Sequence, residues 1–260
     1  MEKKQHIVLV HGACHGAWCW YKVKPMLEAA GHQVTALDMA ASGIHPGKIQ
    51  EVNTVTEYTQ PLLDFLASLP PEERVVVVGH SLGGLNLSLA MEYFPQKIAV
   101  AVFLTAFLPD ITHEPSYVLD QYNERTPGEA WLDSEFSPYS SSLEHQISMF
   151  FGPKFLTSML YQLSPIQDLE LAKLLIRPSS LFKHDLSKAT KFTNEGFGMV
   201  KRVFITCEQD KAITLEFQKW MIQNCGVDEV VNIKDSDHMA MFPKPKELTH
   251  CLSKIAIEYA

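Results

Sequence analysis

The stretch VVVVGHSLGG, residues 75–84, sets four valines directly before Gly79, His80, Ser81, Leu82, Gly83 and Gly84. A run that is apolar at every position suits a strand covered on both faces, as in a parallel sheet between helical layers. The residues that follow, LNLSLAMEYF (85–94), carry helical spacing. The run therefore predicts a strand, a sharp turn and a helix, with Ser81 on the turn. Gly79, Ser81 and Gly83 fit G-x-S-x-G, in which glycines stand where side chains would clash as strand passes into helix. Such a turn lifts the hydroxyl above the sheet and aims the first helical N–H groups, that of Leu82 among them, at any oxygen that becomes negative nearby. A plain glycine-rich turn with a capping serine is the competing reading.

Similar apolar runs recur at 6–10, 33–37, 99–104, 202–206 and 229–233, separated by helical spacing that begins near Trp20 and continues at 58–69, 215–224 and 246–259. Alternation of this kind predicts an open α/β sheet with right-handed crossovers. From about Pro109 to Met199 it stops, leaving helical pieces such as 168–176 and turn signals but no convincing buried strand. The expected organisation is a core of residues 1–108 and 200–260 with an inserted helical cap, 109–199, over the carboxyl ends of the strands.

A serine hydroxyl needs a base to take its proton and a carboxylate to orient that base. His238, in DSDHMAM after the last strand and before the final helix, stands at the right edge of the sheet. His113, His145 and His184 fall in the cap block and His250 within the last helix. Asp210, in CEQDKAI after strand 202–206, is the candidate acid. Glu208 is its local rival, and Asp235 and Asp237 lie close enough to His238 to shape its loop instead. The loop after the first strand, HGACHGAWCW (11–20), offers the Ala13 N–H as partner to that of Leu82. His11, Cys14, His15 and Cys19 crowd the same loop, but their spacing matches no zinc module and packing histidines explain them better.

Composition narrows the remaining possibilities. A formal charge of -8 with no basic run repels phosphate backbones, so nucleic acid is not expected as a partner. No stretch approaches the ~20 apolar residues that span a bilayer, and five irregularly spaced cysteines suit reduced thiols. The expectation is a soluble, cytoplasmic protein.

With these residues in view, HIVLVHGACHGAWCWYKVKPMLEAAGHQVTALDMAASG, VVVVGHSLGGLNLSLAME, SMFFGPKFL, RPSSLF and DSDHMAM resemble the plant methylesterase family of α/β-hydrolases, relatives of the hydroxynitrile lyases. The resemblance implies an α/β-hydrolase fold with a cap, a homodimer, no cofactor and no metal. It implies a Ser81, His238 and Asp210 triad acting on methyl esters of small carboxylic acids, with the free acid as product and Ala13 and Leu82 donating to the oxyanion. It also places a largely apolar pocket among Phe107, Tyr122, Trp131, Phe136, Met149, Phe151, Leu160, Leu181 and Phe182, with Gly12, His80 and Met239 beside the reacting group. The lyases carry a threonine in place of Gly12, an acidic residue in place of His80 and a lysine in place of Met239, so hydrolysis is favoured over cyanide release. A hormone-binding protein that keeps an intact triad is the non-enzymatic alternative, because a fold alone does not settle function.

Overall fold

The computed structural model describes residues 4–139 and 146–260; His145 lies outside the described residues. Strands β1 (His6–Val10), β2 (Gln33–Leu37) and β3 (Val75–His80) alternate with helices α1 (Val23–Ala29) and α2 (Val55–Ser68). Helix α3 (Gly83–Tyr93) and strand β4 (Ile98–Leu104) complete the first part of the core. Every residue of β1, β3 and β4 is buried, which explains their unbroken apolar runs: a strand covered on both faces has no side left for polar residues.

The block between β4 and the next core strand holds α4 (Tyr117–Arg125), β5 (Glu135–Pro138), β6 (Ile147–Phe150), α5 (Pro153–Phe155), α6 (Ile166–Leu175), β7 (Ser179–Ser180) and α7 (Lys183–Leu186). Here the expectation of a purely helical cap is corrected, since β5, β6 and β7 pair antiparallel in a small three-stranded sheet. These strands are four, four and two residues long, and β5 is exposed throughout. Neither length nor alternation gave them a readable pattern.

The core then resumes with β8 (Lys201–Cys207), α8 (Leu215–Cys225), β9 (Glu229–Ile233) and α9 (Pro245–Tyr259). The main sheet runs β2-β1-β3-β4-β8-β9 with every pair parallel. From β1 the chain crosses to β2 on one side and then to β3 on the other. The carboxyl ends of β1 and β3 therefore flank a topological switch point, where open α/β sheets leave a crevice. Among the described residues no helix is long and apolar enough to cross a membrane.

Buried carboxylates tie the cap to the core. Asp168 on α6 accepts from the Tyr21 hydroxyl at 2.6 Å and from Lys22 at 2.5 Å. Asp237 Oδ2 accepts from the Leu163 N–H at 2.9 Å and the Ser164 hydroxyl at 2.8 Å, while its Oδ1 accepts from the Met239 N–H at 3.0 Å. Burial pushes the Asp237 carboxyl up against the pull of these donors.

Candidate active site

Ser81 follows β3 directly and adopts φ 56°, a left-handed conformation that a non-glycine residue holds only under constraint. The constraint comes from its neighbours. The Ser81 carbonyl accepts from Gly84 N–H at 3.1 Å and from Phe107 N–H at 3.0 Å. A Cβ on Gly83 would stand 2.8 Å from the His11 carbonyl oxygen, and one on Gly79 2.7 Å from that of Gly83. The glycines thus let β3, the first turn of α3 and the loop after β1 approach more closely than side chains permit. Leu82 caps α3, in the first turn, where helical N–H groups lack partners inside the helix.

Asp210 and His238 arrive from the loops after β8 and β9. His238 Nδ1–H donates to Asp210 Oδ2 at 2.7 Å, with both side chains buried. Asp210 is itself held by four donors: the Thr105 hydroxyl at 2.5 Å and the His238 ring on Oδ2, the Ala212 and Ile213 N–H groups at 2.8 and 2.9 Å on Oδ1. A carboxylate so fixed keeps the proton on Nδ1 and leaves Nε2 as the basic nitrogen. His238 and Ser81 line one small cavity, so the hydrogen-bonded Asp210–His238 pair and the Ser81 side chain meet at one wall. The rival Glu208 stays apart, with Asn232 Nδ2 donating to it at 3.3 Å.

Three further histidines surround the site and stay neutral because burial pushes their pKa values down. His15 falls to about 3, and His11 and His80 shift the same way. Their hydrogen bonds fit neutral tautomers. His11 Nδ1–H donates to the Gly12 carbonyl at 2.8 Å while Nε2 accepts from Met39 N–H at 3.0 Å. His15 Nδ1–H donates to the Ala13 carbonyl at 2.9 Å while Nε2 accepts from the Tyr161 hydroxyl at 2.7 Å. Cys14 and Cys19 are buried thiols, and burial pushes Cys14 up to about 12. Among the described residues no group of three or more histidine, cysteine or acidic side chains could hold a metal ion.

The same cavity is lined by Ala13, Leu82, Phe107, Tyr122, Trp131, Met149, Phe151, Leu160 and Leu181. Five residues expected in this lining stand elsewhere. His80 lies behind it, its Nε2–H donating to the His238 carbonyl at 2.8 Å and its ring 4.6 Å from that of His238, because the last residue of β3 is fully enclosed. Met239 is completely buried beyond His238. Gly12 sits beneath Ser81, where a Cβ would stand 2.8 Å from that of Ser81. Phe136, on the exposed strand β5, and Phe182, at the start of α7, line a separate, larger cavity. Sequence reasoning missed Phe155, Ala212 and Ile213 as lining residues and Thr105 as a donor to Asp210. Ala212 and Ile213 were within reach, since they close the quoted loop CEQDKAI.

Residues 7–250 match the alpha/beta hydrolase family, and the chain belongs to that family. Within it, the chain is one of the plant methylesterase group and a carboxylic ester hydrolase by class. It is 60% identical over 259 residues to salicylic acid-binding protein 2 of Nicotiana tabacum, covering 100% of both chains. It is 57% identical over 259 residues to methylesterase 1 of Arabidopsis thaliana, covering 99% of this chain and 98% of that one. An alpha-hydroxynitrile lyase of Arabidopsis thaliana is 52% identical, with 100% of each chain covered. The crystal structure of polyneuridine aldehyde esterase superposes with a TM-score of 0.95 at 48% identity, covering 97% of this chain and 99% of that one.

Proposed function

We propose that the protein hydrolyses methyl esters of small carboxylic acids, of the methyl salicylate, methyl jasmonate and methyl indole-3-acetate type, through an acyl-enzyme on Ser81. The observation that carries this reading is the Asp210–His238 hydrogen bond at the wall of a cavity that Ser81 shares. His238 Nε2 takes the Ser81 proton as Oγ attacks the ester carbonyl carbon, and Asp210 stabilises the imidazolium that forms. The carbonyl oxygen becomes anionic between the N–H groups of Ala13 and Leu82. The tetrahedral carbon then expels methoxide, which leaves as methanol with the proton from His238. Water, activated by the same Nε2, attacks the acyl-enzyme, and the acid departs as Ser81 regains its proton. Every proton is returned within the cycle, so no cofactor or metal is called for. The apolar walls suit an aryl or alicyclic acyl group, and the free acid, which fits the same walls, acts as a product inhibitor.

The similarity to a chain named as a hydroxynitrile lyase favours one second reading, cyanide release from a cyanohydrin. A cyanide leaving group calls for a cation and hydroxyl contacts. Gly12 has no side chain, and Met239 is apolar and completely buried. Turnover of the three methyl esters beside mandelonitrile separates the readings. Catalytic hydrolysis of at least one ester is expected; cleavage of mandelonitrile alone identifies a lyase, and stoichiometric binding without turnover identifies a receptor. The protein is further proposed to be a cytoplasmic homodimer with the core and cap boundaries given above, to be checked by light scattering and limited proteolysis.

A further inference from the structure

A second cavity lies beside the reacting one and takes no part in the chemistry just described. It encloses about 360 Å3, against about 30 Å3 for the chamber that holds Ser81 and His238. The smaller has room for roughly two water molecules, so an acyl group that reaches Ser81 extends past it or displaces its side-chain walls. The larger lies in the range of ordinary small-molecule sites. Trp131, Met149 and Leu181 line both, so the two chambers adjoin along these three residues.

Phe136, Ile147 and Phe182 give the outer chamber its apolar surface. Phe182 is held at φ 50°, its N–H donating to the Ser180 hydroxyl at 3.1 Å and its ring 5.2 Å from that of Tyr58. A left-handed aromatic residue over-determined by its surroundings is the kind of strain that gathers at ligand clamps. The rim carries two lysines, Lys183 and Lys188, and one aspartate, Asp185. Lys183 is paired with Asp120 at 2.7 Å, and Asp185 accepts the Val55 N–H at 2.8 Å. Lys188 is exposed and, among the described residues, makes no ion pair.

We propose that this outer chamber is a second ligand subsite, which takes the distal end of an elongated ester that is apolar along its length and anionic at its far end. The proposal rests on ester hydrolysis at Ser81 and names the substrate class: methyl esters with a remote carboxylate, of which the monomethyl esters of linear dicarboxylic acids are the simplest. The ester group enters the inner chamber, the chain passes between Trp131, Met149 and Leu181, and the free carboxylate reaches Lys188.

Two measurements test it. The first follows kcat/KM of the wild type over methyl esters of linear acids from about two to about ten carbons; a rise of about twofold to fourfold per methylene is expected until the outer chamber fills. A flat or falling series past the first few carbons overturns the proposal. The second compares half-esters of dicarboxylic acids with neutral methyl esters of equal length in the wild type and in Lys188→Glu, an exposed position remote from the core packing. The preference for the half-ester is expected to fall about threefold to tenfold in the variant, whereas an equal change for both substrates overturns it. Calorimetric titration of Ser81→Ala with the half-ester, with and without Lys188→Glu, reads the subsite without turnover. Lys188-dependent binding with no turnover of any ester by the wild type leaves the subsite standing and removes hydrolysis. Turnover of short esters, with binding indifferent to Lys188, does the reverse.

Discussion

The sheet and the cap hold the residues of the proposed site by different means. Ser81, Asp210 and His238 hang from the ends of strands whose positions are set by parallel ladders, and strands β1, β3 and β4 are buried along their whole length. Half of the cavity wall, including Tyr122, Trp131, Phe151 and Phe155, hangs from the cap, where the largest sheet is three short strands and many contacts are aromatic. Phe155 stacks on Trp131 at 5.5 Å and on Phe151 at 4.9 Å. Backbone hydrogen bonds fix the chemistry; side-chain packing shapes the pocket. Substitutions in the first region therefore act on rate, and those in the second on selectivity.

That division can be broken in several places. Ser81→Ala is expected to lower kcat by on the order of 10⁴ to 10⁶ while leaving acid binding in place; a variant keeping more than about a tenth of wild-type turnover refutes the mechanism. Asp210→Asn keeps the shape but reverses the hydrogen bond to His238 Nδ1, so a loss of about 10⁴ in kcat is expected, read on a methyl ester under saturation. Thr105→Val removes one donor from Asp210 Oδ2 and leaves three, which predicts a fall of about tenfold in kcat without a change in KM. Trp131→Ala, in the cap, is expected to act in the opposite sense, raising KM about threefold to tenfold with kcat nearly kept. If Trp131→Ala slows kcat as severely as Thr105→Val, the separation of rate from selectivity is wrong.

Acid sharpens the same comparison, because the neutral histidines cluster around the core site. His15 in the folded chain binds its proton only near pH 3, whereas an unfolded histidine does so near 6.5. Its folded pKa is depressed, so the unfolded state binds more protons below about 6.5 and stability falls as pH drops through that window. His11 and His80 act in the same direction. Each contributes a loss of up to about 1.4 kcal/mol per pH unit, to be read from urea midpoints at pH 7.5, 6 and 5. His15→Gln is expected to flatten the slope, and a midpoint independent of pH over this range contradicts the neutral assignment.

What could be read from the chain follows the same division. The strand at 75–80 and its glycines were legible because a buried parallel strand and a strained turn each demand particular residues at adjacent positions. The loops after 206 and 233 were readable as bringing Asp210 and His238 to one edge, where they share a hydrogen bond. Thr105 was not legible, since it meets Asp210 only once β4 lies beside β8. The small cap sheet was hidden by strands too short to show a period. His80 had been expected to face the substrate; the pattern that marks a strand end does not say on which side the ring will lie. For Phe136 and Phe182 the aromatic character was evident, but which of two chambers receives it depends on how the cap folds back on itself.

Asp237 divides its two oxygens between the residue after the proposed base and the segment 163–164 that follows the pocket wall. Anyone recombining this protein with a relative to alter its selectivity inherits a constraint from that one side chain. A graft that imports residues 109–199 but not a matching acceptor at 237 strands two donors and loosens the imidazole in the same stroke. Chimeras should accordingly exchange the insertion and the short loop at 235–239 together, as a single heritable unit.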